Sequence, residues 1–263
     1  MTIQITIIRI EGYGPWTLEL GSDREAALQM LQAKIYYDLQ RLFSGLNGLV
    51  YANRFDEYFV LSSGLSLQKH LKVQRELDKL YSALRLSMAI GVGKTPFEAN
   101  LNAYRVRRQS LTLDNRSRIF GKPQFSSSLG SRTNSKNDTN IVQIMHIDIN
   151  DSAKLSSRLS PYEVSTVVSR IGLLLSQQFL KKGAITFFIG GDNFMVVSNG
   201  ASKEDARKII QMVTQNTGVK LNCGIGIGAT GRRAAQAATE ALDTIRHLRN
   251  TGKPLSLYEI NCL

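Results

Sequence analysis

The sequence predicts an α+β fold, an α/β sandwich made of two tandem ferredoxin-like or palm-type βαββαβ domains, each with a central antiparallel hairpin. Two observations predict it. Each half alternates β-branched strands with segments of helical periodicity. Three segments of the first half also recur, in the same order, 135 to 137 residues later. The pairs are RIEG (9–12) with HIDI (146–149), RFDEYFVLSSG (54–64) with GGDNFMVVSNG (190–200), and AIGVG (89–93) with GIGIG (224–228). One repeated domain accounts for all three.

Each half is predicted to run strand, helix, hairpin, helix, strand, helix, with the helices on one face of the sheet. The first strand is β-branched and ends at an acid, Glu11 or Asp148. The hairpin carries an acid at its tip, Asp56 or Asp192, and the fourth strand ends in glycines. In the first half we predict strands at 3–10, 48–53 and 57–62 and helices at 67–83 and from 96. In the second half we predict strands at 141–149, 185–189 and 194–198 and helices at 203–215 and from about 232.

Capping signals define where the first long helix of each half begins. Ser22 and Glu25 have the spacing of a capping box, in which the serine and glutamate each bond the other's backbone N–H. In the second half, Ser160, Pro161 and Glu163 supply an N-cap, an N1 proline and an N3 acid. We predict that the helices begin at these two places.

Length and composition allow a folded protein and exclude several other classes. The 263 residues suffice for one large domain or two small ones. Hydrophobic residues make up 43% and charged residues 21%, which is typical of soluble globular proteins and excludes disordered and collagenous chains. No segment approaches the ~20 apolar residues that span a bilayer, and no secretory leader is recognisable. We therefore expect a cytoplasmic protein with no membrane partner.

Residues 107–140 contribute +5 to the net charge of +12. Residues 110–140 are rich in Ser, Asn, Gly and Arg and show no sustained period, which predicts a flexible basic linker between domains at 1–109 and 141–263. Basic linkers are more often solvated than bound to phosphate backbones, so we do not expect a nucleic-acid partner. The two cysteines and three histidines have no zinc-binding spacing, which argues against a zinc site.

Asp148 and Asp192 are the strongest candidates for chemistry. In this topology the end of the first strand lies beside the tip of the hairpin, so the two carboxylates are expected to face each other. Neighbouring carboxylates repel unless a cation lies between them, and hard oxygen ligands favour Mg²⁺ or Mn²⁺. The alternative is that Asp192 is an ordinary turn residue and that Gly190 and Gly191 supply positive φ angles.

The segments after the first strands are candidates for substrate binding. Asn150, Asp151 and Ser152 open the second-half helix, where backbone amides can hold a triphosphate. Tyr13 and Trp16 could stack on a base or ribose, although an isolated tryptophan is more often a core or interface residue. We interpret His146 as structural.

The motifs of both halves together resemble archaeal GTP cyclohydrolase III. They are EGYGPWTLEL, RFDEYFVLSSG, HIDIND, FFIGGDNFM and GIGIG, in this order across nearly the whole chain. HIDIND and GGDNF are also similar to the metal-binding strand and hairpin of class III nucleotidyl cyclases and GGDEF diguanylate cyclases. The cyclohydrolase resemblance implies hydrolysis of GTP, with opening of the guanine imidazole ring at C8 and release of two phosphates. It also implies Mg²⁺, two ions per site, activation by K⁺, and a homo-oligomer, either a dimer or a tetramer.

Transferred by position, the resemblance makes Asp148 and Asp192 catalytic metal ligands, helped by the carbonyl of Ile149, with Asn193 at the edge of the site. The first half departs from the family pattern of Asp-Asn at two places, since it has Glu11-Gly12 and Asp56-Glu57. Glu11 and Asp56 remain candidate ligands of a first-half metal. Two alternatives stay open, a nucleotidyl or diguanylate cyclase and a degenerate GTP-binding regulator.

Overall fold

The computed structural model describes residues 2–109, 118–124 and 141–263. The chain divides into two compact units. The first consists of Met1–Gly93 with Glu98–Asn140, and the second of Lys94–Phe97 with Ile141–Leu263. Among the described residues, no helix is both long enough and apolar enough to cross a membrane.

The first half of the chain folds around a five-stranded mixed sheet with the order β2-β3-β1-β4-β5. The strands β1 to β4 pair antiparallel along this order, and β5 pairs parallel to β4. The elements are β1 (Ile3–Ile10), α1 (Tyr13–Glu19), α2 (Glu25–Ser44), β2 (Leu49–Arg54), β3 (Glu57–Leu61), α3 (Leu67–Leu80), β4 (Leu86–Gly93), α4 (Pro96–Arg108) and β5 (Ile119–Phe120).

The second half repeats this plan with the order β10-β9-β6-β8-β7. Here the parallel fifth strand, β10, comes from the C-terminal segment. The elements are β6 (Val142–Ile149), α5 (Ser152–Ser156), α6 (Pro161–Leu180), β7 (Ile185–Gly190), β8 (Asn193–Val197), α7 (Lys203–Thr217), β9 (Leu221–Gly228), α8 (Gly231–Asn250) and β10 (Leu257–Cys262). The predicted mixed α/β class with repeated βαββαβ units is confirmed, and most predicted elements lie within a few residues of the observed ones.

Three details of the predicted architecture are wrong. The hairpins form one edge of each sheet rather than its middle, with β2 and β7 as edge strands. A short helix, α1 or α5, follows each first strand. Helices also cover both faces. In the second unit Ile147 and Ile225 face a core formed with α6 and α7, whereas the glycines of β9 face α8.

The glycines of β9 allow α8 to lie directly on the sheet. A Cβ added at Gly226 would come within 2.1 Å of the Ala234 carbonyl oxygen and 2.2 Å of the Ala238 nitrogen. The same approach occurs in the first unit, where a Cβ at Gly91 would come within 2.0 Å of the Ala99 carbonyl oxygen. Gly91 and Gly226 are 135 residues apart, and so are Ala99 and Ala234. The contact of β4 with α4 is therefore equivalent to that of β9 with α8.

The predicted capping box is confirmed in α6 and wrong in α2. Ser160 accepts a hydrogen bond from the Glu163 amide, and the Glu163 side chain bonds the Ser160 amide in return. In the first half, α2 begins at Glu25 with Arg24 as N-cap and without a side-chain cap. The helix begins three residues after Ser22, so Glu25 is its first residue rather than the third and cannot complete the box.

The predicted flexible linker is wrong for the part of it that the structure describes. Residues 118–124 join the first unit, where Ile119 is fully buried in the core and pairs with Met88. The Gln124 amide donates to Gln4 Oε1 at 2.8 Å. Apolar residues beside the open edge of β4 explain this docking, since the edge offers unpaired backbone groups. The remaining linker residues, 110–117 and 125–140, lie outside the described ranges.

We expect Gly226→Ala to destabilise the second unit by about 3 kcal/mol or more, because the added methyl meets backbone atoms that cannot rotate away. Gly14→Ala is the control, since a Cβ there has nothing within 4 Å, and it should change stability by less than about 1 kcal/mol. Urea unfolding followed by circular dichroism measures both. Equal stability of the two variants would contradict the close contact of α8 with the sheet.

Candidate functional site

Asp148 is buried near the end of β6, with only 4% of its surface exposed. In the sheet it pairs with Asn193 of β8 on one side and Asn222 of β9 on the other. Its neighbours Ile147 and Ile149 face the core formed with α6 and α7. Because side chains alternate along a strand, Asp148 points to the opposite face, which α8 covers.

Two donors hold the Asp148 carboxylate. Arg246 of α8 donates from Nη2 to Oδ2 at 2.7 Å, and Asn222 donates from Nδ2 to Oδ1 at 2.9 Å. Burial opposes the charged form of Arg246, but the hydrogen bond and charge of Asp148 raise its pKa above the ordinary value. The carboxylate therefore has a permanent cation beside it. Sequence analysis missed Arg246 because nothing local in α8 marks it.

Asp192 lies in the turn between β7 and β8, as predicted. Gly190 and Gly191 have φ angles of 111° and 61°, so the glycines do supply the positive φ angles that this turn requires. Asn193 donates from Nδ2 to Asp192 Oδ1 at 2.9 Å. Within the described part of the chain Asp192 Oδ2 has no hydrogen-bonding partner, so this oxygen is available to a ligand.

His146, interpreted from the sequence as structural, orients Asp192 through Asn193. His146 Nε2 lies 3.1 Å from Asn193 Oδ1, and its Nδ1 lies 3.1 Å from Thr239 Oγ1. Since the amide oxygen of Asn193 only accepts, Nε2–H donates to it and Nδ1 accepts from Thr239. Burial lowers the pKa of His146 and keeps the ring neutral, despite the opposing effects of Asn193 and Asp148. The structural interpretation of His146 agrees with these contacts.

The predicted substrate-binding residues of the second unit lie in different surroundings. Ser152 and Asp192 line a cavity of about 420 Å³ between α5, α6 and the hairpin turn. Asn150 instead accepts a hydrogen bond from Arg249 and lines a separate cavity beside Lys220. Asp151 is the left-handed N-cap of α5, with φ 62°. Ser152 is thus the member of this group that shares a cavity with Asp192.

Tyr13 and Trp16 belong to the first unit, where both pack against the core. Their ring centroids are 6.1 Å apart, and the Tyr13 hydroxyl accepts a hydrogen bond from Gln32 at 2.6 Å. These contacts agree with the alternative of a core role. Stacking of these rings on a base stays a prediction.

The strand register corrects the pairing of Glu11 with Asp148. Ile3 pairs with Gly93 and Val142 with Gly228, so β1 and β6 are equivalent at an offset of 139 residues. The counterpart of Asp148 is therefore Arg9. The motif comparison matched Glu11 with Asp148 because both are acids. In the hydrogen-bonded ladder, Glu11 lies two residues beyond the counterpart of Asp148.

Glu11 and Asp56 are both engaged by arginines. Arg107 Nη2 lies 2.7 Å from Glu11 Oε1 and 2.8 Å from Oε2. Burial alone would raise the pKa of Glu11, but hydrogen bonds from Ser87 and Arg107 lower it. The Oδ1 atom of Asp56 lies 3.4 Å from Nε of Arg54. With Arg9 in the position of Asp148, this corner of the first unit repels a cation, and the structure gives no support to a metal at Glu11 and Asp56.

The metal ligands predicted for the second unit are Asp148, Asp192 and the carbonyl of Ile149. Asp148 and Asp192 lie at the same end of the sheet, but Asp148 points to the face that α8 covers whereas Asp192 lines the cavity beside α5 and α6, so the prediction that the two carboxylates face each other is not confirmed. Among the described residues, no group of three or more His, Cys, Asp or Glu side chains could hold a metal ion. Two carboxylates and a carbonyl are nevertheless typical of Mg²⁺, which keeps several waters and completes its shell with substrate phosphates. Arg246 is the cation that balances Asp148 in the structure described here.

The family comparison covers nearly the whole chain. The sequence model of the family described as GTP cyclohydrolase III matches residues 3–258. GTP cyclohydrolase III of Methanothermobacter thermautotrophicus is 35% identical over 247 residues, which cover 93% of this chain and 94% of that protein. The protein of the same name from Methanocaldococcus jannaschii is 36% identical over 247 residues, covering 93% of this chain and 88% of that protein.

Similar solved structures include cyclase domains. The active GGEEF domain of a diguanylate cyclase from Vibrio cholerae has a TM-score of 0.36 and 14% identity, covering 45% of this chain and 83% of that one. An EAL/GGDEF domain protein from M. capsulatus has a TM-score of 0.37 and 17% identity, covering 47% of this chain and 86% of that one.

We expect Arg246→Leu to tighten the binding of Mn²⁺ in the absence of nucleotide. Removing one positive charge next to Asp148 is worth about 1 kcal/mol, or about fivefold in the dissociation constant. Titration with Mn²⁺, followed by electron paramagnetic resonance, measures this dissociation constant. Arg170→Leu on the exposed face of α6 is the control for lost charge, and Asp148→Asn should weaken binding. If Arg246→Leu binds Mn²⁺ no more tightly than the wild type, Arg246 does not compete with a metal for Asp148.

Proposed function

This chain belongs to the GTP cyclohydrolase III family, and on that basis we propose that it is an enzyme that hydrolyses GTP. The reaction would open the imidazole ring at C8 and release two phosphates. The product would be 2-amino-5-formylamino-6-(5-phosphoribosylamino)pyrimidin-4(3H)-one. The observation that carries the proposal is the family match over residues 3–258, together with identities of 35% and 36% to GTP cyclohydrolase III proteins over 93% of the chain.

We propose that Asp148, the carbonyl of Ile149 and Asp192 hold Mg²⁺, with two ions per site. When bound, Mg²⁺ neutralises the triphosphate and lowers the pKa of a coordinated water, which prepares water for attack. The support from the structure is the all-oxygen donor set at one end of the sheet and the open Oδ2 of Asp192. Asn193 and His146 keep the Asp192 carboxylate in place, so both are positioning residues.

The cavity beside Asp192 is the proposed place for the nucleotide. Its volume of about 420 Å³ is in the range of small-molecule sites, and it shares Val164, Ser165 and Gly191 with an apolar cavity of about 400 Å³. Together they offer hydroxyl groups and an apolar wall of the kind that a purine needs. Neither Asp148 nor Arg246 is among the residues that line these two cavities.

Other features of the proposal rest on the resemblance to the family. These are activation by K⁺, assembly into a homodimer or homotetramer, and a cytoplasmic location. Asn150 and Asp151 stay candidates for contacts with the substrate next to Ser152.

We expect Asp192→Asn to reduce GTP turnover at least ~100-fold, because one carboxylate ligand is lost where charge must be stabilised. The matched control is Asp56→Asn, the same change at the equivalent turn of the first unit. It should retain at least about half of the activity, since the nearby Arg9 leaves no cation site there. Release of phosphate with Mg²⁺ present measures both. Similar losses in the two variants would contradict the assignment of the metal to the second unit alone.

The products distinguish this proposal from the two alternatives. Incubation with GTP and Mg²⁺, followed by ultraviolet absorbance and mass spectrometry, should show ring opening with loss of two phosphates. A cyclic nucleotide or dinucleotide would indicate a cyclase instead. Binding of GTP without any conversion would indicate a regulator.

A further inference from the structure

A basic cavity in the first unit lies where β1, β3 and α4 meet. Its volume is about 560 Å³, and its walls include Ile7, Arg9, Arg54, Glu57, Tyr104 and Arg107. A second cavity of about 370 Å³ shares Tyr104 and Arg107 with the first and adds Glu11, Ser87, Arg108, Arg118 and Phe120. We call the two together the arginine cleft. All of these residues belong to the first unit.

The arginine cleft keeps a small excess of positive charge after its ion pairs are counted. Five arginines line it against two glutamates. Three of these arginines have acidic partners, since Arg107 pairs with Glu11, Arg54 with Asp56 and Glu57, and Arg118 with Asp78. Arg9 is half-buried and has no hydrogen bond or ion pair within the described ranges of the chain.

Arg107 also has an unmet hydrogen-bonding group. Its Nη2 donates to both oxygens of Glu11, but its Nε is buried and has no partner within the described residues. A buried N–H without an acceptor is costly, and so is a guanidinium held in a cleft without an anion. An acceptor with several negative oxygens would satisfy both Arg9 and Arg107.

The second unit shows why the first unit is open at this place. By strand register, Arg9 and Ile7 are the counterparts of Asp148 and His146. In the second unit the His146 imidazole links β6 to Thr239 of α8. The corresponding residues of the first unit, Ile7 and Tyr104, cannot form that link, and Tyr104 is 53% exposed. The space between the sheet and α4 therefore stays open. It also carries Arg9 where the second unit has the acid Asp148.

We propose that the arginine cleft binds the polyphosphate group of a nucleotide at a second, metal-independent site. Guanidinium groups bind phosphate oxygens through parallel N–H donors, and Arg9, which is unpaired within the described residues, lines the same cavity as the partly satisfied Arg107. Tyr104 lies at the cleft with the Arg108 guanidinium carbon 5.8 Å from its ring centroid, and the exposed part of the ring can stack on a base. A divalent cation is disfavoured by Arg9, Arg54 and Arg107, so the site differs in chemistry from the one at Asp148.

The test is calorimetric titration of the full chain with EDTA present, so that no divalent metal contributes. The probes are inorganic tripolyphosphate, GTP and guanosine. The wild type should bind tripolyphosphate and GTP but not guanosine. Arg9→Gln should weaken tripolyphosphate binding by about tenfold or more, because it removes a charged donor. Tighter binding of GTP than of tripolyphosphate, lost in Tyr104→Ala, identifies a nucleotide, whereas equal binding identifies free polyphosphate as the ligand.

Arg170→Gln, which removes the same charge from the second unit, is the matched control and should bind like the wild type. Arg54→Gln is a second variant of the cleft, since this side chain is 59% exposed and its loss spares the fold. Unchanged affinity in Arg9→Gln and Arg54→Gln, or an equal loss in Arg170→Gln, would overturn the proposal. The outcome does not depend on GTP hydrolysis, so a failure of the proposed enzymatic activity would be seen separately.

Discussion

The ion pair between Asp148 and Arg246 determines much of the second unit. A carboxylate buried at the end of β6 destabilises the fold unless a cation and hydrogen-bond donors accompany it. Arg246 comes from α8, so this helix must approach the sheet closely enough for its side chain to reach β6. The side-chain-free surface at Gly224 and Gly226 makes that approach possible. The close packing of α8 on the sheet and the ion pairing of Asp148 therefore depend on each other.

The two units show what changes when the same backbone carries different charges. In the second unit an acid at the strand end is matched by Arg246 and Asn222. In the first unit Arg9 stands at that position, with Glu11 and Arg107 beside it. The backbone ladder is the same in both, since the pairs of β1 with β4 and of β6 with β9 have the same register. One framework thus carries an acid at the strand end in the second unit and an arginine there in the first.

Local signals explain which parts of the structure were predictable. Strands and helices follow from the spacing of apolar residues, and the Ser160 capping box follows from residues three positions apart. Arg246 is 98 residues from Asp148, and no sequence period connects them. The equivalence of Arg9 with Asp148 was missed for a similar reason. It is defined by hydrogen bonds between strands, and residue similarity favoured Glu11. The docking of residues 118–124 depends on the open edge of β4, which only the folded sheet provides.

Each first strand is followed by a short helix whose N-cap residue has a left-handed backbone. The identity of this residue differs between the units. In the first it is Gly12, with φ 65°, and in the second it is Asp151, with φ 62°. Glycine adopts this conformation without steric cost, whereas an aspartate there is held in a sparsely populated region that its short polar side chain tolerates. The second unit consequently carries local backbone tension next to its cavity. A β-branched residue at either position would be strained, so this joint limits which residues can precede the short helix.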